Sequence, residues 1–201
     1  MSRFGGSVIL PCDTRRREAQ PTPNTRSVFR RSSARARASL VPMTTYTARP
    51  VEPRVLKELR TADDAGRPMA PFTDDEGGAP LRCCLRRSEP GERIALVSYA
   101  PLRRWAAGTG ARPGAYDEQG PVFVHAEECA GPTAGDGYPF ADAHRTVRRY
   151  SADGHILGGQ LVETVGDDAF RNAFDDPSVA LVHVRAVEYG CFLYEVRRPS
   201  D

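Results

Sequence analysis

The segment Glu188-Tyr189-Gly190 limits what this chain can fold into more than any other. Residues 179–187 and 191–198 flank it as two strand-like runs. A three-residue loop that ends in glycine is typical of a β-hairpin, because glycine adopts a left-handed backbone without a steric clash. Strand side chains alternate between two faces. The even positions of residues 179–187 are small and apolar, which predicts a core face, whereas the odd positions include His183 and Arg185.

The length of the loop predicts the register of this hairpin, and the register predicts which side chains share its second face. The predicted pairs are Val187 with Cys191, Arg185 with Leu193, and His183 with Glu195. We therefore expect a polar sheet face on which four reactive side chains stand together: His183, Arg185, Cys191 and Glu195.

A nucleophilic site on this face is one hypothesis, with His183, Cys191 and Glu195 as candidate catalytic residues. The Arg185 guanidinium would favour the thiolate form of Cys191, and Glu195 would fix the tautomer of His183 as a general base requires. Cys191 and His183 are two pairing steps apart, however, which is beyond direct hydrogen-bond reach. The alternative is a solvent-exposed His–Glu pair beside a cysteine packed at the turn.

The remaining periodicity predicts an α+β fold, mainly antiparallel β-sheet with two short helices. The helices are predicted at residues 53–60 and 167–175, and the further strands at residues 81–86, 93–100, 121–126, 145–151 and 155–163. Glycine-rich and proline-rich stretches are predicted as loops; they are residues 63–80, 101–120 and 127–143.

Charge divides the chain into two parts. Residues 1–42 hold nine arginines against two acidic residues, whereas residues 43–201 hold more acidic than basic residues. The interpretation is a disordered, arginine-rich leader followed by a single α+β domain of unknown function over residues 43–201. Met43 lies where the composition changes and is predicted as the translation start in place of Met1. A transit peptide and a basic nucleic-acid arm are the alternatives for the leader.

Cysteine and histidine give a second hypothesis, a metal site. The chain has five cysteines, but neither a Cys-x-x-Cys nor a His-x-x-x-His spacing occurs in it. The candidate metal ligands are scattered along the sequence: His125, Cys129, His183 and Cys191. Buried cysteines and hydrogen-bonded histidines are the alternative, and no metal or cofactor is assigned. Cys83 and Cys84 are neighbours on a predicted strand, so their side chains are expected on opposite faces and a disulfide between them is disfavoured.

Several short motifs occur in a fixed order along the chain: Pro80-Leu81-Arg82-Cys83-Cys84-Leu85, Gly91-Glu92, Ser98-Tyr99-Ala100-Pro101, Gly120-Pro121-Val122-Phe123-Val124-His125-Ala126, Arg148-Arg149-Tyr150, Val182-His183-Val184-Arg185 and Gly190-Cys191-Phe192. Together they resemble the bacterial domain-of-unknown-function 1203 family over about residues 80–198. The resemblance implies a bacterial, cytoplasmic, single-domain protein, and it favours the start at Met43. It supplies no established activity and no catalytic residues.

Two classes of function follow from the sequence. The first is a small-molecule binding protein or enzyme that uses the polar face, with His125, His183 and Arg185 as candidate ligand-binding residues. The alternative is a non-catalytic protein-interaction module whose polar face is solvated. No apolar run is long enough to span a bilayer, and no glycine-rich loop has the context of a nucleotide site.

Two features of composition bear on partners and compartment. The 27 arginines against one lysine indicate codon composition rather than nucleic-acid binding. The odd number of cysteines favours a reducing cytoplasm.

Overall fold

This computed structural model describes residues 46–133 and 137–199. They contain seven β-strands, three α-helices and one short 3-10 helix, with loops between them. The helices are α1 (Pro53–Thr61), α2 (Pro101–Thr109) and α3 (Asp167–Phe174), none of them long and apolar enough to cross a membrane. The strands are β1 (Pro71–Asp74), β2 (Glu92–Tyr99), β3 (Gly120–His125), β4 (Arg145–Ser151), β5 (Ile156–Val162), β6 (Val179–Ala186) and β7 (Phe192–Arg197). The predicted α+β class, mainly antiparallel sheet, is confirmed. The predicted leader at residues 1–42 and the predicted start at Met43 lie outside the described residues.

The first sheet has the strand order β1-β2-β3, and both pairs are antiparallel. Helix α1 begins at Pro53, which suits the first turn of a helix because no backbone N–H is needed there. One buried cluster joins the apolar stripe of α1 to the sheet and includes Val55, Leu56, Leu59, Ile94, Val97, Val122 and Val124. This packing holds α1 against β2 and β3.

The second sheet has the order β5-β4-β6-β7, and all of its pairs are antiparallel. Helix α3 covers one face of it. The cluster between them includes Phe170, Ala173, Phe174, Val147, Val182, Val184 and Val196. The core face predicted along residues 179–187 is therefore confirmed for Val182 and Val184, both of which are fully buried.

Helix α2 packs against the second sheet through another cluster, and it corrects the loop predicted at residues 101–120. The cluster joins side chains of α2 to side chains of β4 and β6: Leu102, Trp105, Ala106, Tyr150 and Leu181. Pro101 occupies the first turn, and Gly110 ends the helix in a left-handed conformation with φ of 79°. Proline and glycine mark the two ends of a helix here, whereas the sequence interpretation treated them as loop residues.

Residues 81–86 form a turn instead of the predicted strand. The backbone N–H of Leu85 donates to the carbonyl oxygen of Leu81, and the N–H of Leu81 donates to that of Arg86, each at 2.9 Å. Leu85 has φ of 59°, a left-handed conformation that does not occur in a regular strand. The short strand β1 also corrects the sequence interpretation, because it lies inside the loop predicted at residues 63–80.

The terminal hairpin of β6 and β7 has the predicted pairing of His183 with Glu195. The predicted pairing of Arg185 with Leu193 is wrong: the register shifts between Val184 and Arg185, and Arg185 pairs with Phe192. A bulge of this kind adds a residue to one strand and changes which side chains face each other beyond it. Pattern and loop length do not reveal such an insertion.

Candidate metal centre

Four side chains with soft metal-ligand atoms lie close together at one end of the first sheet: Cys83, Cys84, His125 and Cys129. Their ligand atoms, three Sγ atoms and one imidazole nitrogen, all lie within 4.8 Å of one another. The two adjacent cysteines are buried, and the other two residues are partly exposed. We call these four residues the Cys/His cluster.

The turn at residues 81–86 explains how two adjacent cysteines contribute to one cluster. In a strand their side chains would point to opposite faces. The turn instead places the Sγ atoms of Cys83 and Cys84 4.0 Å apart. The backbone N–H of Arg82 donates to the carbonyl oxygen of Phe123 at 2.9 Å, which attaches the turn to β3.

His125 is the last residue of β3 and pairs with Ile94 of β2. Its Nδ1 lies 3.3 Å from the Sγ of Cys83 and 3.8 Å from the Sγ of Cys84. The backbone N–H of His125 also donates to the Sγ of Cys83 at 3.3 Å. A hydrogen bond to sulfur favours the charged form of a thiol, and metal ligation requires that form.

Cys129 lies just after β3, at the end of a short segment that two arginines contact. Arg60 of α1 donates from Nε to the carbonyl oxygen of Ala126 at 3.1 Å and from Nη2 to that of Glu127 at 2.6 Å. The Nε of Arg93 lies 3.2 Å from a carboxylate oxygen of Glu127. These contacts hold the connection between the histidine and the third cysteine of the cluster.

The spacing within the Cys/His cluster fits a tetrahedral zinc ion. With Zn–S bonds of about 2.3 Å and Zn–N bonds of about 2.0–2.1 Å, two sulfur ligands are separated by about 3.8 Å, and a sulfur and a nitrogen by about 3.6 Å. The two Sγ atoms of Cys83 and Cys84 are 4.0 Å apart, and they lie 3.3 and 3.8 Å from the imidazole nitrogen. Since no ligand pair is further apart than 4.8 Å, a change of about 1 Å completes the tetrahedron.

The Nε2 atom of His125 lies on the side of the ring away from the thiols, beside the ion pair of Arg86 and Glu92. It lies 3.5 Å from a carboxylate oxygen of Glu92 and 3.3 Å from Nη2 of Arg86. Arg86 donates to both carboxylate oxygens of Glu92, at 2.5 and 2.9 Å, and lowers the pKa of Glu92 to about 2. The carboxylate is therefore ionised at neutral pH and available to accept the proton of Nε2. In the tautomer that carries its proton on Nε2, Nδ1 is unprotonated, as a metal ligand must be.

The paired thiols of Cys83 and Cys84 do not ionise alike. The Cys83 thiol donates toward the Sγ of Cys84, which lowers the pKa of Cys84 and raises the pKa of Cys83. Burial adds to the rise for Cys83, whereas the backbone N–H and the guanidinium of Arg86 favour the Cys84 thiolate. A divalent cation held by these residues would supply the positive charge that stabilises both thiolates together.

The structure places the four metal ligands predicted from the sequence at two separate locations. His125 and Cys129 lie in the Cys/His cluster. His183 and Cys191 lie in or beside the hairpin of the second sheet, outside the cluster. The adjacent pair at residues 83–84 was not predicted as a pair of ligands, because strand alternation would separate its sulfur atoms. Two neighbouring cysteines in a segment bounded by turn residues are the signal that points to them.

His183 is completely buried, which corrects the expectation of a solvent-exposed polar face. Its ring packs against Tyr150 and Phe192, with centroids 4.7 and 5.0 Å away. Its Nε2 lies 3.7 Å from the nearer carboxylate oxygen of Glu195, beyond hydrogen-bond distance. Burial lowers the pKa of His183, so the imidazole is neutral. Burial alone would raise the pKa of Glu195, but the Arg197 guanidinium, 2.5 Å away, holds it below its usual range.

Arg185 and Cys191 line one cavity of about 190 Å³ near the hairpin loop, and His183 is not among its lining residues. Arg185 donates to a carboxylate oxygen of Glu118 at 2.5 Å. The Cys191 Sγ is 3.9 Å from the carbonyl oxygen of Tyr189. The four side chains predicted to share one open face therefore occupy two places, a buried pair and a cavity wall. Their catalytic and ligand-binding roles stay predictions.

Three comparisons with known proteins bear on the identity of the chain. No curated protein and no solved structure matches it significantly. A family model described as "Protein of unknown function (DUF1203)" matches residues 78–198, more than half of the chain and the stretch that contains the whole Cys/His cluster. The resemblance of the motifs is thereby confirmed, and the chain belongs to the DUF1203 family.

Proposed function

We propose that this protein binds one zinc ion through the three thiolates and the imidazole of the Cys/His cluster. The observation that carries the proposal is the convergence of four soft ligand atoms within 4.8 Å. Three cysteines and one histidine are a donor set that structural zinc sites use. The contact of the histidine with Glu92 supplies the outer-shell carboxylate that zinc-bound histidines usually have.

The donor set selects the class of metal. Thiolates favour zinc, copper(I) and iron–sulfur centres, whereas magnesium and calcium prefer carboxylate and carbonyl oxygens. One tetrahedral set of three sulfurs and one nitrogen suits a single zinc ion, whose filled d shell imposes no geometry of its own. Zinc therefore fits this cluster best.

The ion would act as a structural cross-link. Four protein ligands complete a tetrahedral zinc, whereas catalytic zinc sites keep three protein ligands and an open position for water or substrate. The bound metal would join the turn at residues 81–86 to the end of β3 and to the segment that follows it. The proposed function is thus metal binding that stabilises the domain.

A reducing compartment such as the bacterial cytoplasm is part of this proposal. The four cysteines of the described residues are free thiols: Cys83, Cys84, Cys129 and Cys191. Thiolate ligands bind metal only while they are reduced, and reduced thiols persist in compartments with a glutathione or thioredoxin system.

A small-molecule function is a second proposal, at a different place from the predicted polar face. Complete burial weighs against a ligand that contacts His183. Arg185 and Cys191 support the proposal because they line one cavity of about 190 Å³. The predicted alternative, a non-catalytic interaction module, agrees with the proposed zinc site, since four protein ligands would leave no open position for a substrate.

Zinc uptake by purified, untagged protein tests the metal proposal. After reconstitution under reducing conditions we expect one zinc ion per chain by elemental analysis. With Co²⁺ in place of zinc we expect the visible absorption of a tetrahedral thiolate site. Cys129→Ser should lose the metal during dialysis against a chelator that the wild type withstands, because a hydroxyl replaces a thiolate ligand.

Cys191→Ser is the matched control for this experiment. It makes the same substitution at a cysteine of the same partly exposed class, outside the Cys/His cluster. This variant should retain zinc as the wild type does. Wild-type protein that takes up no zinc, or equal retention by the Cys129→Ser and wild-type proteins, would overturn the proposal.

Glu92→Gln should weaken zinc binding about 10- to 100-fold, which is the usual effect of removing an outer-shell partner of a metal-bound histidine. The substitution removes the charge that attracts the Nε2 proton of His125, and it leaves every metal ligand in place. Competition with a chelating dye measures the affinity. Glu163→Gln, at an exposed carboxylate beyond the end of β5, is the control and should not change it. Equal zinc affinities for the two variants would show that Glu92 does not support the histidine.

A further inference from the structure

A cavity of about 270 Å³ lies between the start of α1, the helix α2 and the strand β7. Four arginines line it: Arg49, Arg54, Arg104 and Arg197. Part of its wall is aromatic and consists of Tyr99, Trp105 and Phe192. We call this space the arginine cavity. It shares no residue with the Cys/His cluster.

Two of the four arginines are already neutralised by carboxylates. Arg104 donates to Asp64 at 2.6 Å. The Nε of Arg197 lies 2.5 Å from Glu195, the acidic residue at the buried side of the cavity. These two guanidinium groups therefore leave little net charge for a ligand.

The other two arginines are available to an incoming anion. The side chain of Arg49 has no hydrogen-bond or ion-pair partner among residues 46–133 and 137–199, and its backbone N–H is fixed to the carbonyl oxygen of Glu195 at 2.8 Å. The Nε of Arg54 has one long contact, 3.9 Å to Glu58, and its side chain is exposed. Glu52 is the remaining acidic residue of the lining, so the lining itself holds four arginines against two carboxylates, Glu52 and Glu195.

The start of α1 adds to this positive potential. The helix has neither an acidic residue in its first turn nor a capping side chain at Glu52. Uncapped helix N-termini carry partial positive charge, which favours an anionic group nearby. Arg54 and Val55, in the first turn, are both lining residues. The helix supports a site that the arginines and the aromatic wall define.

We propose that the arginine cavity binds a small aromatic anion, with the anionic group between Arg49 and Arg54 and the ring against Trp105 and Tyr99. Arginine guanidinium groups bind carboxylates and phosphates through paired hydrogen bonds, and aromatic rings pack on aromatic walls at little entropic cost. The volume is at the small end of ligand pockets, which limits the ligand to about one ring and its charged substituent. This activity is separate from metal binding and does not depend on it.

Trp105 makes the proposal directly measurable, because it is the single tryptophan of the chain and lines the cavity. We expect a saturable change of its fluorescence on titration with phenyl phosphate or benzoate, and a much smaller response to benzyl alcohol, which has the ring without the charge. The ratio of the two anion affinities distinguishes a phosphate from a carboxylate ligand. Inorganic phosphate should bind more weakly than phenyl phosphate, because it does not use the aromatic wall.

Arg49→Gln should weaken binding of the better aromatic anion roughly 10- to 100-fold, the usual effect of losing a hydrogen bond to a charged group. Arg171→Gln is the control, at an exposed arginine of α3 that does not line the cavity. Arg54→Gln provides a second test if Arg49→Gln disturbs folding, which thermal unfolding reports. Unchanged affinity in both cavity variants, equal binding of the neutral alcohol, or no binding of either anion by fluorescence and calorimetry would overturn the proposal. Each titration is carried out on zinc-loaded protein and on protein treated with a chelator. The comparison separates failure of the anion proposal from failure of the metal proposal.

Discussion

Removal of zinc from the loaded protein should lower its free energy of unfolding by about 4 kcal/mol, the stabilisation that one site gives when free metal exceeds its dissociation constant about 1,000-fold. For a domain of this size the midpoint of thermal unfolding should fall by about 8–16 °C. The physical reason is linkage: the Cys/His cluster is assembled only in the folded chain, so metal binding free energy adds to folding free energy. Circular dichroism with zinc and with an excess of a strong chelator measures the difference.

Two cysteine variants make this measurement specific. Cys129→Ser should unfold at nearly the same temperature with zinc and with chelator, since its site no longer holds the metal. Cys191→Ser should keep the full difference between the two conditions. If the wild type unfolds at one temperature in both conditions, metal does not stabilise the fold and the structural role proposed for it is wrong.

Leu181→Ala should cost about 3 kcal/mol of stability, within the range of about 2–5 kcal/mol for leucine side chains removed from a packed core. Leu181 is 0% exposed, pairs with Tyr150 in the sheet, and packs in the cluster that includes α2. The variant therefore tests whether α2 covers the sheet face that the sequence predicts as polar. Urea unfolding, with the midpoint and the slope determined separately, gives the free energy.

Leu161→Ala is the matched control for the core variant. It is the same substitution in the same sheet, on the edge strand β5, where Leu161 is 60% exposed. Its cost should stay within about 0.5 kcal/mol, as for most surface positions. Similar costs for the two variants would mean that α2 does not bury the centre of the sheet in solution.

The hairpin shows which parts of the fold a sequence predicts well. His183 pairs with Glu195 as predicted, but nearer the loop the N–H of Ala186 donates to the carbonyl oxygen of Cys191, so the loop is one residue longer than predicted and the bulge restores the register. Loop length does not encode the bulge opposite Arg185, and the burial of His183 depends on the rings of Tyr150 and Phe192, which other strands supply. Alternation along one strand describes its two faces but not what covers them.

The Cys/His cluster shows the same division for the candidate site. His125 and Cys129 were among the predicted ligands because of their residue types, and the structure places them together. Cys83 and Cys84 lie in a segment predicted as a strand before the turn signature at residues 88–91, and the left-handed Leu85 makes that segment a turn. One positive φ angle thus decides whether two sulfur atoms lie on opposite faces or on the same side. A hydrophobicity pattern does not contain that information.

The positions of the four metal-binding residues along the chain imply that the proposed metal would affect the order in which the two sheets assemble. Residues 83–84 and 125–129 bracket β2, α2 and β3, and a metal held at both ends would close this segment into a loop. Closing this loop lowers the conformational entropy of the unfolded chain between the metal-binding residues. The second sheet contains no ligand, but α2 lies inside the loop and packs on that sheet. Through α2, an ion at the first sheet would favour assembly of the second.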